Sequence, residues 1–488
     1  MSMKSKKGIV IHSVIGVLIM LLFRFLPVNL TYITPVGMGV LGVFIGTVYL
    51  WVAVDLIWPS LVSVFLLVVF GYFSMPEMLA SLLGNPVILL MMFIMIMSNA
   101  LSKYEVTPHL ARWCLSLKIV RGRPYLFAFV MGIVIYVIAA FVGPIAPIFL
   151  FWPILSEVYR DVGYTKKDKF PKILTIYVVI CSLLGFPIAP YMGNALVLIE
   201  NFKGLIISSG ANVVFELNHA HYIAAGVILG LAMMLAMLLL VKLLLRPDVE
   251  PFRNFDFKKF DENPLPPLTL SQKILSVGFV AMLLAMLIPS IIPHVLGMGY
   301  LAGLTNGIPL FTAAVLMAIR VNKKPVVNIS EILCDNFAWG SIFMSASAMV
   351  LGSALTSEKT GITVLLSDMF APILTGMGMI PFLVIFLIIM CILTNLLNSL
   401  VVGMIFAPIV LTYCSLSGVN PAPIVTLMIM VCLGTACVTP AASVFSAILH
   451  SNKEWTETRD NYIYSVFFVT VQMVIYLVLG IPLAITLS

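Results

Sequence analysis

Long apolar runs, separated by short clusters of Lys, Arg, Gly and Pro, organise the chain. Runs near 9–26, 36–54, 57–73 and 86–101 each approach the roughly 20 residues that a membrane-crossing helix needs, so Lys103 returns to the side on which the chain began. Residues 103–123 carry Lys103, Arg112, Lys118, Arg121 and Arg123, and the next cluster, Arg160, Lys166, Lys167, Lys169 and Lys172, is also basic. Excess Lys and Arg marks cytoplasmic loops, which places both clusters inside. The uncharged stretch between Arg123 and Glu157 must then enter the membrane and come back. Its second piece, Ile148 to about Val158, would reach only ~16 Å at ~1.5 Å per residue, roughly half of the ~30 Å hydrocarbon core. The spacing predicts a re-entrant hairpin over 124–158, with its tip at Gly143-Pro144-Ile145-Ala146-Pro147.

A helix over 171–199 follows, interrupted at Gly185-Phe186-Pro187-Ile188-Ala189-Pro190-Tyr191-Met192-Gly193-Asn194, because glycines and prolines at that density break a helix. His221 to Leu245 returns to a basic, Pro-containing linker, 246–273. The second half runs the same way. Crossings near 274–293 and 304–320 lead to the inside markers Arg320, Lys323 and Lys324, and Trp339 to Leu355 leads outward. A second hairpin over 380–416 has the polar tip Thr394-Asn395-Leu396-Leu397-Asn398-Ser399; a helix over 421–450 is interrupted between Gly434 and Ser446, and Tyr462 to Ile485 closes the chain outside. Residues 1–245 and 274–488 thus read as two repeats of opposite orientation joined by a cytoplasmic linker. Ala100-Leu101 aligns with Ala354-Leu355, Trp152-Pro153-Ile154 with Ala407-Pro408-Ile409, and Gly185 with Gly434, at separations of 254, 255 and 249 residues. The expectation is an all-α polytopic membrane protein of about 11 transmembrane helices with two re-entrant hairpins and helices broken at the midplane. Its amino terminus would lie inside the cell membrane and its carboxyl terminus outside.

Composition agrees. Apolar residues make up 61% of 488 and charged residues 10%, against the roughly 25% charged of soluble domains, and mean hydropathy is +1.14. Soluble catalysis and nucleic-acid binding are excluded, and the net charge of +7 reads as the cytoplasmic excess of basic residues. Cys114, Cys181, Cys334, Cys391, Cys414, Cys432 and Cys437 lie without paired spacing, which argues for small core residues rather than disulfides or zinc. Lys4, Lys6 and Lys7 before the run Ile9 to Phe23 imitate a signal peptide, but the run meets Arg24 and Pro27 and reads as the first membrane helix. Asp55, between Trp51 and Trp58 with Pro59, reads as a capping residue in an interfacial turn. His109, His219, His221 and His294 fall in connectors.

Inverted repeats with Gly/Pro-interrupted helices point to a secondary transporter whose site lies near the midplane. A helix that stops there aims unpaired N–H groups, worth about half a positive charge, at one side of the break. Unwound carbonyls on the other side hold a cation. Two tips and two breaks supply four polar ends without a charged side chain, and none lies near either break. An anion suits helix N-termini. Candidate substrate contacts are Gly143, Ile145 and Ala146 at the first tip, Pro190 and Asn194 at the first break, Asn398 and Ser399 at the second tip, and Ser443 and Ser446 at the second break.

The organisation resembles the divalent anion:sodium symporter family of the ion transporter superfamily over nearly the whole chain. Val52-Ala53-Val54-Asp55-Leu56-Ile57-Trp58-Pro59 is similar to its W-x-T-E-A-I-P-L segment, Asn85-Pro86-Val87-Ile88 and Trp339-Gly340 begin the helices preceding each hairpin, and Ser357-Glu358-Lys359-Thr360-Gly361-Ile362 is similar to its K-T-G-L element. The family's Ser-Asn-Thr tips bind sodium and substrate carboxylates. Here the second tip is similar to T-E-x-x-S-N-T with Asn398 and Ser399 exchanged and Leu400 replacing Thr, whereas the first tip offers no hydroxyl or amide. The A-T-P-P-N of the broken helices becomes Ala442-Ser443-Val444-Phe445-Ser446 and Ala189 to Asn194. The resemblance implies a homodimer moving as an elevator, no cofactor, and sodium as coupling ion at Thr394, Asn398, Ser399, Gly434 and Ala442. The expected function is secondary active transport of small organic anions, di- or monocarboxylates, coupled to sodium or protons or running as an exchanger. A sodium/proton antiporter or inorganic-anion carrier of the same superfamily is the alternative. An intramembrane hydrolase lacks its residues, and so does a channel filter.

Overall fold

The computed structural model describes residues 6–26, 33–84, 86–106, 120, 122–253, 267–291, 304, 307–334, 337, 339–362, 365, 376–440 and 442–487. Expectations for Lys4, Pro27, Asn85, His109, Arg112, Cys114, Lys118, Arg121, His294 and much of the 246–273 linker lie outside the described residues. Among the described residues there are twenty-one α-helices, numbered in chain order. The first five are α1 Lys6–Leu22, α2 Pro35–Ala53, α3 Ile57–Val69, α4 Met75–Leu83 and α5 Pro86–Lys103. Then come α6 Pro124–Phe141, α7 Ile145–Val162, α8 Lys169–Gly185, α9 Gly193–Ser209 and α10 His219–Leu240, the last running on through a π-helical turn to Leu245. The short α11 Glu250–Arg253 precedes α12 Leu270–Ile291, α13 Ile308–Ala318, α14 Ile329–Cys334 and α15 Trp339–Thr356. The remainder is α16 Met379–Leu396, α17 Ser399–Ser417, α18 Ala422–Gly434, α19 Val444–Ser451, α20 Thr458–Ile475 and α21 Ile481–Leu487.

Local chemistry sets the ends. Thr34 caps α2 through the Gly37 N–H, followed by Pro35 in the first turn. Ser74 and Glu77 form a reciprocal capping box on α4, satisfying donors that a helix start leaves unpaired. Gly163, Gly210 and Gly418 end α7, α9 and α17 in the left-handed conformation that side chains disfavour. Arg320–Val321 and Lys324–Pro325 pair as an antiparallel hairpin, turned by Asn322 and Lys323, both at positive φ, as a tight two-residue turn requires. This strand pair is an addition to the expected all-α fold.

The helices pack in two groups joined by α9, which lies on α15 and α5 of the one as well as on α17 and α18 of the other. In one, α15 contacts α2, α3, α4 and α5, while α12 and α13 pack on each other and on α5; Ser63 and Ser347, both fully buried, hydrogen-bond at 2.8 Å between α3 and α15. In the other, α8 carries α6 and α7, and α18 correspondingly carries α16 and α17. The two carriers touch, and each receives the half-helix that follows the other's break: α19 lies on α8, and α9 on α18. Pro153 in α7 and Pro408 in α17 occupy matching places in the two return arms.

Connector ends meet in two sets. Lys103 donates to the Glu331 carbonyl at 3.0 Å, Gln272 to the Tyr104 carbonyl at 2.8 Å, and Trp455 to Ser156 at 2.9 Å. Arg160 pairs with Glu454 at 2.7 Å and Lys172 with Asp460 at 2.9 Å. In the second set, the Thr34 hydroxyl donates to the Lys359 carbonyl at 2.8 Å. Asp55 is exposed in the turn before α3 and accepts from the Leu56 N–H at 2.7 Å.

The return arm of the first hairpin is longer than expected. α7 has 18 residues, about 27 Å at 1.5 Å per residue, because the helix starts at Ile145 and runs through Glu157, Arg160 and Asp161 to Gly163. Length therefore does not by itself separate a hairpin from two crossings; α6, α16 and α17 are long and apolar enough to cross a membrane, while α7 has the length but carries three charges. His219 and His221 lie in the first turn of α10 rather than in a connector, His219 half-buried with its ring 6.1 Å from that of Tyr191. Five of the described cysteines are buried and Cys334 is exposed.

Candidate site between two interrupted helices

Both interruptions lie where glycine and proline crowd the sequence. α8 stops at Gly185 and the chain resumes as a helix at Gly193; α18 stops at Gly434 and resumes at Val444. Gly185 is required by a close approach: a Cβ there would lie 2.2 Å from the Tyr136 carbonyl oxygen of α6. Tyr222 of α10 donates to the Pro187 carbonyl at 2.6 Å, which fastens the unwound segment from behind.

The second break is laced to the second tip. Asn395 Oδ1 accepts from the N–H groups of Cys437 at 3.1 Å and Val438 at 2.9 Å, and its own carbonyl accepts from Thr439 Oγ1 at 2.6 Å. Thr394 Oγ1 donates to the Cys432 carbonyl at 2.8 Å, and the Ser399 N–H to the Ala442 carbonyl at 3.0 Å. Ser443 donates to the Ala436 carbonyl at 2.7 Å, while Ser446, fully buried, donates to the carbonyls of Cys437 and Thr439 at 2.8 and 2.7 Å. From α20, the fully buried Gln472 donates to the Gly434 carbonyl at 3.3 Å. Thr394, Ser399, Gly434, Ala442, Ser443 and Ser446 are thus brought into one hydrogen-bonded assembly, with Asn398 at its edge as the N-cap of α17.

The four helix starts are not equivalent. Asn398 Oδ1 accepts from the N–H groups of Leu400 and Val401 at 3.1 and 3.4 Å, and Ser443 Oγ from that of Ser446 at 3.1 Å. These side chains occupy donors that a helix start would otherwise present to a ligand. In the first half, α7 and α9 have no side-chain cap: Pro144 and Met192 stand at their cap positions. Gly143 turns the chain at φ +109, Ile145 is exposed, and Ala146, Gly193 and Asn194 are half-buried. Pro190 is buried in the unwound segment. The first tip is held by the other group of helices, through Ser98 of α5, which donates to the Phe141 carbonyl at 3.0 Å.

The two breaks meet through aromatic rings. Phe186, directly after α8, lies edge-on to Phe445, in the first turn of α19, with ring centroids 5.3 Å apart and planes at 70°. Sequence reasoning also passed over Asn395, which reads as one more polar tip residue, and the pair Glu200 and Lys203, 2.7 Å apart on α9. These are the charges nearest the first break along α9. An Asn that precedes a tip by a few residues, and an acid–base pair at i,i+3 in an apolar helix, were the available signals.

The profile of a family described as citrate transporter, CitMHS, matches residues 40–402, most of the chain. Among solved structures the chain is similar to the YdaH transporter of Alcanivorax borkumensis, whose crystal structure is described as revealing an unusual topology. Identity is 12%, the TM-score is 0.55, and the match covers 86% of this chain and 88% of that one, which is a likeness of fold. No curated protein matches the chain.

Proposed function

The chain belongs to the citrate transporter family, and from that premise we propose that this secondary transporter of organic anions carries di- or monocarboxylates across the cell membrane by an elevator-type alternating-access mechanism. It is a multi-pass membrane transporter and not an enzyme. The observation that carries the finer reading is the junction of the two interrupted helices. The uncapped starts of α7 and α9 present peptide N–H groups worth about half a positive charge each, the ordinary receptor for a carboxylate at a helix terminus. Broken backbone at this depth is stable only when it is buried in protein or lines a cavity, and the bonds from Asn395, Ser443, Ser446 and Tyr222 meet that condition.

In this reading the hairpins α6–α7 and α16–α17 are re-entrant from opposite sides, and their tips reach the breaks near the midplane. The connectors rich in Lys and Arg, with the amino terminus, face the cytoplasm. Helices α1–α5 with α12–α15 form the static scaffold of a homodimer, and α6–α10 with α16–α21 form the moving unit. A coupling sodium ion is assigned to the second tip, among the oxygens of Thr394, Asn398, Ser399, Gly434 and Ala442. A carbonyl that accepts one hydrogen bond keeps a second lone pair for a cation. Kinship to the divalent anion:sodium symporters is the relation this arrangement supports.

The test is uptake of labelled succinate, citrate and monocarboxylates into proteoliposomes, with and without a sodium gradient and a pH gradient. Saturable uptake of at least one anion, driven by one gradient or by internal exchange substrate, is expected. Inactivity toward every organic anion would overturn the substrate class. The antiporter reading has one supporting observation, the Glu200 carboxylate on α9, and is separated from the carboxylate reading by the Glu200→Gln variant treated below.

A further inference from the structure

Away from both breaks, α12 and α13 leave a groove of about 930 Å³ between them. Buried Met282 and Leu316 form its floor, and Val277 and Phe311, 69% and 68% exposed, stand at its rims. Gly278 lets the two helices close beneath it, since a Cβ there would lie 3.1 Å from the Leu316 side chain. Thr312 gives its hydroxyl to the Ile308 carbonyl of its own helix at 2.9 Å. Beyond Lys273, the described walls therefore hold no free polar side chain.

Charge lies at one end only. No Asp, Glu, Lys or Arg occurs between Lys273 and Arg320. Lys273 lines the groove on α12, and Ile319, which lines it just after α13, is followed by Arg320. Lys323 and Lys324 belong to the adjoining strand pair, and all four cations are exposed. Of the carboxylates nearby, Glu331 lies 3.8 Å from Lys103. Glu105 is exposed and follows Tyr104, whose carbonyl accepts from Gln272 at the start of α12. The cations Lys103, Lys273, Arg320, Lys323 and Lys324 outnumber these two.

An apolar trough with a basic mouth fits an amphiphile with an anionic head. From Lys273 to Ala285, α12 rises about 18 Å at 1.5 Å per residue, a little over half of the ~30 Å hydrocarbon core, which is the depth of one leaflet. An acyl chain in a groove gains dispersion contacts on several sides that a flat helix face does not give. A phosphate at the mouth gains charge-assisted bonds from Lys and Arg, as in the basic pockets between membrane helices that bind lipid head groups. A second copy of the chain fits less well. Two copies in one membrane share an orientation, so their two-fold axis follows the bilayer normal and brings like residues together at equal depth. Lys273 and Arg320 would then face their own images, and like charges across an interface are unfavourable.

We propose that the α12–α13 groove is a binding site for an anionic phospholipid of the cytoplasmic leaflet, with an acyl chain between Val277 and Phe311 and the phosphate at Lys273 and Arg320. The site is separate from the junction of the interrupted helices and does not depend on the carboxylate reading. The test is native mass spectrometry of the full-length purified protein with added dioleoylphosphatidylglycerol or dioleoylphosphatidylcholine, read as the lipid concentration that half-fills the adduct. Phosphatidylglycerol should bind about tenfold or more tightly, since each Lys or Arg near an anionic head group contributes about 1 kcal/mol. Lys273→Gln combined with Arg320→Gln should bring it to the phosphatidylcholine level, and Ala281→Phe, which fills the groove, should weaken both lipids. Lys166→Gln combined with Lys167→Gln, the same loss of exposed charge in the α7–α8 connector, should change neither. An unfolding midpoint unchanged without lipid shows that the variants are folded, and the two double variants decide the matter even if Ala281→Phe does not fold. Equal affinity of the unaltered protein for the two lipids overturns the site, and so does an equal loss in both double variants. Displacement of the lipid by inorganic phosphate with no effect of Ala281→Phe marks a free-anion site and overturns it as well. A dimer that falls apart on Ala281→Phe gives the groove to a second copy of the chain and equally contradicts the proposal.

Discussion

At the residue scale, Asn395 is the side chain on which the second break depends. Its amide oxygen is the acceptor for two successive N–H groups, that of the buried Cys437 and that of the half-buried Val438. Leaving a buried donor unpaired costs about 1–3 kcal/mol. Asn395→Leu should therefore lower the thermal unfolding midpoint of the purified protein clearly, and more than Asn398→Ala, which removes a helix cap worth about 1 kcal/mol. Equal midpoints would remove Asn395 from this role. Ser399→Ala tests the second tip differently, since the Ser399 N–H to Ala442 bond survives and only the hydroxyl is lost; transport should weaken, and an unaffected rate would count against a site there. Glu200→Gln should leave carboxylate uptake within about twofold, because a half-exposed i,i+3 ion pair contributes little. Abolished sodium/proton exchange in that variant would favour the antiporter. The serines at 443 and 446 were legible as break residues from their neighbours, and the structure finds their hydroxyls on break carbonyls. Asn395 was not legible as the organiser, since nothing in a one-dimensional pattern tells which tip amide faces a segment some forty residues away.

At the element scale, the two breaks were legible because Gly and Pro enforce them locally: α8 and α18 end at Gly185 and Gly434, the glycines the sequence singled out. The lengths of the hairpin arms were less legible. The charged residues 157–161 looked like a connector but form the last turn and a half of α7, since helix can continue past the apolar run when its end is wet. The strand pair at 320–325 escaped notice because its turn, Asn322-Lys323, lacks the glycine that usually advertises such hairpins. Gly185 carries the element-scale prediction. With a Cβ 2.2 Å from the Tyr136 backbone oxygen, Gly185→Ala should force α6 and α8 apart and lower the yield of folded, monodisperse protein, whereas Gly204→Ala, where a Cβ meets open space, should not. Equal yields would mean that α6 yields to the methyl group.

At the scale of the whole molecule, the packing of the two half-helices is reciprocal, with α9 on α18 and α19 on α8. No single sequence separation foretells that exchange, which arises only when the two halves interlock. The second tip is bonded to the second break through Asn395 and Ser399, and the proposed carrier stands on both tips ending inside the membrane. The direct test places single cysteines at Pro144 and Leu397, in a background without the native cysteines, and measures labelling by a membrane-impermeant thiol reagent in intact cells and in inverted vesicles. Asn212→Cys, in the connector between α9 and α10, serves as the openly exposed reference. Each tip should label far more slowly than the reference from the side opposite its hairpin's base. Labelling of both tips at the reference rate from that far side would make the hairpins ordinary pairs of crossings and contradict the account.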